Sequence, residues 1–244
     1  MSFRNVYADS TRADSYATLE FANTYHLAFR DLPAIIRNYV SGNRALDFGC
    51  GAGRSTRFVQ GLGFEIAGMD IAEEMIAKAH QIDPAGDYRL VPGDDFSSLE
   101  PAAYDLITSL FTFDNISGFD LKLRIFRDLA ALLRPSGKLI NVASSPEIYL
   151  HEWASFSTKD FVAQNRRANS GDEVRIVTTE FPDSRPCVDI LCTDGTYRDL
   201  YAHAGLEVAA IYKPLANGQE PYKWITETSI APWVIYVLGT STQR

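Results

Sequence analysis

Three glycines at alternate positions, Gly49, Gly51 and Gly53, follow a short apolar run that carries an acid, Asp47, within residues 45–53. Glycine has no Cβ, so a loop of this composition lets a ligand's atoms come within touching distance of the backbone. Residues 54–59 then read as the start of a helix, and Cys50, inside the loop, reads as a small space-filler rather than a reactive thiol. A glycine-rich loop first suggests a dinucleotide, but that fingerprint needs a glycine five positions after the first, where Arg54 stands. Asp47, two residues before Gly49, would repel a pyrophosphate resting on the loop and attract an ammonium group. A second acid, Asp70, ends the apolar run 64–70, 23 positions after Asp47. A carboxylate offers two oxygens and a vicinal diol two donors, so Asp70 suits a ribose; a cap for the helix starting near Ile71 is the plainer alternative.

Alternating elements must hold these groups in place. Residues 45–48, the helical stretch after them and 64–70 make one strand–helix–strand crossover, followed by a helix at 71–79. Further strands are expected at 88–93, 104–110 and 138–143. Leu121, Ile125, Leu129, Leu132 and Leu133 recur at helical spacing before a stop at 134–137. This alternation calls for a parallel sheet covered on both faces, with ligands bound at the carboxyl ends of its strands. Asp47, Asp70, Asp94 and Ser109 all fall at such ends. Residues 14–41 look helical on either side of Pro33. Beyond 146 the alternation breaks: 174–181 and 187–192 read as a hairpin, followed by a helix at 195–204 and strands at 206–212 and 233–238.

Composition narrows the partners. The 244 residues include 31 acids and 23 bases, a net charge of −8, which disfavours nucleic acid and anionic membranes and favours a small molecule. Cys50, Cys187 and Cys192 give neither a metal spacing nor a disulfide framework, and no metal is expected. With no apolar leader and no run long enough to span a bilayer, the expectation is a cytoplasmic protein.

The run from Asp47 to Gly53, with Asp70 downstream, resembles the first motif of the class I (Rossmann-like) S-adenosylmethionine (SAM) dependent methyltransferases. The resemblance covers roughly residues 40–145 in detail and the rest in outline. It implies an α/β fold with a Rossmann-like seven-stranded, mostly parallel sheet flanked by helices, its last strand antiparallel. It also implies an N-terminal helical lid, residues 1–41, and an α/β domain, residues 42–244, with a small β-hairpin insertion after strand five forming a substrate cap at about 146–193. SAM would be the cofactor and S-adenosylhomocysteine the product.

By the same resemblance, Gly49, Cys50, Gly51 and Gly53 hold the methionine end, Asp47 receives its amino group directly or through water, and Asp70, flanked by Ile71 and Met75, takes the ribose. Asp94 accepts from the adenine amino group, the Asp95 N–H reaches a ring nitrogen and Phe96 covers the ring; the doubled acid leaves a one-residue ambiguity, and a polar turn is the alternative. Arg30 pairs with the cofactor carboxylate, or else with Asp31 at the surface. Ser109, Leu110 and Phe111 form the rim after the fourth strand, without the paired prolines of members that methylate DNA bases or protein amides.

Phe111 and Phe113 would wall the sulfonium and the substrate, or simply pack the core. Tyr7, Tyr16 and Tyr25 would close over the site from the N-terminal segment, with Trp153 and Phe156 opposite. His151 is the first candidate for a general base, in an aromatic and ionisable stretch after the fifth strand, and Asp114 the second; a surface histidine is the plainer alternative. The expected function is methyl transfer to oxygen or nitrogen of a small molecule. The alternatives are non-methyl chemistry on SAM in the same fold, or a non-catalytic SAM-binding module.

Overall fold

The computed structural model describes residues 10–91, 95–181 and 183–241, with the backbone alone at 10–13. In chain order the elements are α1 (Ser10–Ala17), α2 (Thr24–Arg30), α3 (Leu32–Tyr39), β1 (Arg44–Phe48), α4 (Arg54–Gln60), β2 (Glu65–Asp70), α5 (Glu73–Ile82), β3 (Asp87–Leu90), β4 (Tyr104–Leu110), α6 (Phe119–Leu132) and β5 (Leu133–Ser144). They continue with β6 (Phe156–Ser157), α7 (Val162–Asn165), β7 (Glu173–Thr178), β8 (Cys187–Ile190), α8 (Asp194–His203), β9 (Leu206–Tyr212) and β10 (Trp233–Thr240).

Seven strands form one sheet in the order β3-β2-β1-β4-β5-β10-β9. The first five are parallel, and β10 runs antiparallel between β5 and β9. Every residue of β4 is buried, as expected of a central parallel strand covered on both faces. Two apolar clusters do the covering. One, with Ile125, Phe126 and Leu129 of α6 and Tyr197 and Tyr201 of α8, packs on one side; the other joins Leu27, Phe29 and Ile36 of the N-terminal helices to Leu106, Ile140 and Ile235.

Local chemistry explains the departures from the sequence reading. The N-terminal segment is three helices, interrupted around Asn23, whose φ of 51° no helix accommodates. The stop expected at 134–137 lies within β5, whose pairing jumps from Tyr104↔Leu133 to Leu106↔Lys138. A Cβ at Gly137 would stand 2.7 Å from the Tyr104 carbonyl oxygen, so this bulge admits only glycine. The third strand ends at Leu90, short of the expected 93. The hairpin β7–β8 gains a third strand, β6, paired antiparallel to β7.

One buried carboxylate ties the outlying segments together. Glu227, fully buried, accepts hydrogen bonds from Thr24 Oγ1 (2.6 Å) and from the backbone N–H groups of Ala154 (2.7 Å), Ile225 (2.9 Å) and Thr226 (3.1 Å). Ser155 adds a reciprocal pair with Thr24, and Trp233 Nε1 donates to the Thr24 carbonyl. The start of α2, the segment before β6 and the loop before β10 therefore share one polar knot. Glu227→Ala would leave several of these donors unpaired at roughly 1–3 kcal/mol each, so urea unfolding should show a loss of about 3 kcal/mol or more with m little changed. A loss below about 1 kcal/mol would show that the knot contributes little.

Candidate functional site

A cleft of about 230 Å³ opens at the carboxyl ends of β1, β2, β4 and β5. Its floor is the turn after β1. The backbone N–H groups of Gly49 and Cys50 both donate to the Met69 carbonyl oxygen, at 2.8 and 3.0 Å, which turns the chain off the sheet edge. Gly51 follows with φ 52°, and a Cβ there would meet nothing within 4 Å, so the backbone is bare toward the cleft it lines. Cys50 is buried between the loop and Gly68, the space-filling place expected of it.

Asp70 anchors this loop. Its Oδ2 accepts from Gly51 N (2.8 Å) and its Oδ1 from Ala72 N (2.9 Å); the N-cap of α5 is Ala72 and no side chain caps that helix, so Asp70 braces the turn before it and borders the cleft rather than serving as the helix cap. Burial pushes its carboxyl above the usual range, opposed by the N–H groups of Ala72, Gly51 and Ile71. Each oxygen keeps a further lone pair. Ile71, Met75, Leu110 and Phe111 line the cleft beside it. A bare glycine backbone, a carboxylate at the end of β2 and apolar walls fit the amino-acid, ribose and adenine parts of SAM.

Several expected residues lie elsewhere. Asp47 is fully buried beneath the loop, outside the cleft, where Ser55 Oγ (2.6 Å), Thr56 Oγ1 (2.7 Å) and Thr108 Oγ1 (2.8 Å) donate to it. Burial raises its pKa and the three hydroxyls oppose the rise. Its oxygens fasten the first turn of α4 to β4 rather than face a ligand. Gly53, with φ 80°, also lies outside the cleft, and a Cβ there would strike the Tyr88 ring at 2.6 Å. Ser109 is buried outside the cleft, with no partner for its Oγ, because strand alternation turns it away from the face that Leu110 presents.

Asp95 is exposed and accepts from Ser97 N, while Phe96 packs on Phe48; neither lines the cleft. Asp94 and Tyr7 lie outside the described residues. Arg30 is outside the cleft too. Its guanidinium grips Asp31 through Nε and Nη2, both at 2.9 Å, and Glu220 through Nη1 at 2.8 Å. The guanidinium on the cleft wall is that of Arg54, 4.7 Å from the Tyr25 ring centroid and 5.4 Å from that of Phe29, with Nη1 donating to the Glu20 carbonyl. Its signal in the sequence was adjacency to Gly53.

The far end of the cleft is aromatic. Tyr16, Tyr25, Phe111 and Phe156 line it as expected, joined by Trp233, whose ring centroid is 4.6 Å from Phe111 and 5.8 Å from Phe156. Phe111 has φ 64°, a left-handed conformation unusual for a bulky residue and held by its N–H to Val142 O and by Asn115 Nδ2 to its own carbonyl. Phe113 instead stacks on Phe126 at 3.9 Å in the core, and Trp153 is buried with Nε1 donating to Ile148 O; both lie outside the cleft.

His151 is likewise outside, partly exposed, with Nε2 3.1 Å from Glu147 Oε2 four residues earlier in the chain. The carboxylates on the far wall are Asp114 and Asp189, the latter paired with Tyr149; that pair was absent from the sequence reading. Asp114 Oδ2 accepts from Ser144 N at 3.0 Å, and the Tyr197 hydroxyl donates to Oδ1 at 3.4 Å. Burial pushes the Asp114 carboxyl upward. Tyr149 donates to Asp189 Oδ2 at 3.0 Å, and burial raises its phenol pKa further.

Comparison with known proteins agrees with this fold. Residues 46–139 match a family model described as a methyltransferase domain. Over 102 residues the chain is 31% identical to the ubiquinone biosynthesis O-methyltransferase of Bordetella pertussis, covering 40% of this chain and 41% of that protein. The chain thus spans between 40% and 51% of the length of the curated relatives it matches. The PH0226 protein of Pyrococcus horikoshii superposes with a TM-score of 0.65 at 17% identity, covering 93% of this chain and 99% of its own. A SAM-dependent methyltransferase of Methanosarcina mazei gives 0.63 at 14%, covering 86% and 98%. At such identities the structural matches carry the fold.

Asp70 and Asp47 should separate in experiment. Asp70→Ala is expected to weaken SAM binding roughly tenfold or more by calorimetry, and Asp47→Ala to lower the urea unfolding free energy by about 2 kcal/mol or more through its orphaned hydroxyls. An Asp70 variant with unchanged affinity would take that residue out of the site. The matched domain, the sheet order and the glycine turn with its anchoring acid converge: residues 46–139 match a methyltransferase domain, set in a Rossmann-like sheet similar in fold to SAM-dependent methyltransferases of known structure.

Proposed function

We propose that the protein transfers the methyl group of SAM to an oxygen or nitrogen of a small molecule. The observation that carries this reading is the continuity of one cleft, from the bare backbone at Gly51 and the Asp70 carboxylate to an aromatic compartment containing Asp114. When bound, the cofactor supplies an electrophilic methyl group on a sulfonium centre.

The chain's own residues then have separable tasks. The loop from Gly49 to Gly51 admits the amino-acid end, Asp70 accepts from the ribose hydroxyls, and Ile71 and Met75 cover apolar surface. Arg54 takes the carboxylate for which Arg30 is unavailable. Tyr25, Phe111, Phe156 and Trp233 exclude water and turn ring faces toward positive charge, while Asp114 accepts a proton from the nucleophile. In-line displacement requires alignment and dryness more than acid–base power, which suits a compartment built mostly of rings.

Closure comes from two segments, an N-terminal lid over residues 1–41 and a cap at about 146–193 on the domain 42–244, both of which contribute cleft walls through Tyr25, Phe156 and Asp189. The net charge of −8 supports a small acceptor over nucleic acid. The relatives named for ubiquinone biosynthesis O-methylation support a small-molecule acceptor in the same general sense. A cytoplasmic location belongs to this reading: no described helix is long and apolar enough to cross a membrane, and Cys50, Cys187 and Cys192 form no disulfide.

Arg54→Gln should raise KM for SAM roughly tenfold with a smaller effect on kcat, while Arg30→Gln leaves both near wild type; the reverse pattern would return the role to Arg30. His151→Ala should retain full turnover. Incubation with SAM alone tests the reaction class: release of methylthioadenosine without an acceptor would replace methyl transfer by chemistry within the cofactor, and tight SAM binding with no turnover on any acceptor would leave a binding module.

A further inference from the structure

The far end of the cleft offers a ligand mainly hydrogen-bond acceptors: beside the Tyr25 hydroxyl, the donors named below are engaged within the protein. Ser144 gives its backbone N–H to Asp114 Oδ2, Tyr149 gives its hydroxyl proton to Asp189 Oδ2, and Asn115 Nδ2 is turned to the Phe111 carbonyl. The Tyr16 hydroxyl and the Cys187 thiol engage each other. The Asp114 and Asp189 carboxylates and the Tyr149 side chain border the cleft, and each Asp114 oxygen, with one donor from the chain, keeps a further lone pair. Lys122, buried behind this wall with its Nζ 5.7 Å from the Tyr197 ring centroid, does not line the cleft. The Arg54 guanidinium lies against the Tyr25 and Phe29 rings beside the glycine loop.

A wall of acceptors is complemented by a ligand that donates. An alkylammonium group presents two or three N–H donors and no lone pair, an alcohol presents one donor and two lone pairs, and a phenolate or carboxylate presents lone pairs alone. The surrounding rings of Tyr25, Phe111, Phe156 and Trp233 add electron-rich faces that favour a cation over an anion. Resting on the methyl-transfer reading above, we propose that the acceptor is an amine, with its nitrogen held by the Asp114 carboxylate between these rings. The matched methyltransferase domain ends at residue 139, so Asp114 and Phe111 lie inside it while Ser144, Tyr149, Phe156, Asp189 and Trp233, which complete the compartment, lie outside it.

In the step so assigned, an ammonium N–H proton passes to an Asp114 oxygen and the freed lone pair forms the nitrogen–carbon bond. The carbon–sulfur bond breaks with its electron pair left on sulfur, giving the methylammonium product and S-adenosylhomocysteine. Burial has already raised the affinity of Asp114 for a proton, and the Tyr197 hydroxyl and Ser144 N–H hold the carboxylate in place.

The test uses the full chain with SAM and pairs of acceptors that differ only in nitrogen for oxygen: benzylamine against benzyl alcohol, tyramine against 4-hydroxyphenethyl alcohol, and glucosamine against glucose. Methylated product is read by mass, and binding to the S-adenosylhomocysteine complex by calorimetry. The amine of at least one pair should be favoured roughly tenfold or more in kcat/KM or affinity. Asp114→Asn should lower kcat/KM for that amine about 100-fold while SAM affinity stays within about twofold, and Asp189→Asn, should the first variant fail to fold, should weaken the same amine. Preference for the oxygen member, or no separation in any pair, overturns the amine assignment. Methyl transfer to the oxygen members would leave the methyltransferase reading standing, whereas methylthioadenosine formed without any acceptor would remove that reading itself.

Discussion

The arrangement depends on three hydrogen bonds that fasten the turn after β1 to the end of β2: Gly49 N–H and Cys50 N–H to the Met69 carbonyl, and Gly51 N–H to the Asp70 carboxylate. Parallel pairing sets Phe48 opposite Met69, so the chain leaving β1 must turn within reach of the last residues of β2. Glycine at 49 is imposed by Thr112, whose side chain occupies the place of a Cβ, and at 51 it is favoured by the left-handed φ of 52°. Once the turn is fixed, the direction of α4, the position of Arg54 and the floor of the site follow from it.

What was readable in the sequence follows from range. The turn, the acid at the end of β2 and the strands around them are encoded by neighbours in the chain, and these regions superpose on the expectation with small shifts at strand ends. Asp47 shows where local reading stops. Its position in the motif is plain, but the hydroxyls that enclose it come from Ser55 and Thr56 one element later and from Thr108 across the sheet. Arg30 likewise meets Glu220, 190 residues away. Trp233, Tyr149 and Asp189 entered the site only through tertiary packing, since β10 brings the end of the chain beside β5 and the added sheet folds back over it. His151 and Trp153 failed for the opposite reason: an aromatic, ionisable stretch marks a neighbourhood, and composition does not tell which side chains turn inward.

Polar groups inside the protein divide into settled and exposed sets. Asp47 and Glu227 have their oxygens surrounded by donors from the chain itself, so their charge or proton is confined to a structural role. Asp70 and Asp114 each accept two donors from the chain and still border the cleft. That difference, partial satisfaction beside a cavity, separates a carboxylate that can meet a ligand from one that holds the scaffold, and residue type alone does not carry it.

Phe111 sits where these themes meet, a bulky residue with left-handed backbone geometry at the end of β4. The Glu227 knot has a further mechanical meaning. Because one carboxylate serves the start of α2, the approach to β6 and the loop before β10, displacing any of these segments alone strands donors on the other two. Partial openings at that side of the cleft are thereby disfavoured, and passage there becomes a concerted event in which the cover shifts as a coupled block rather than a set of independently fluttering flaps.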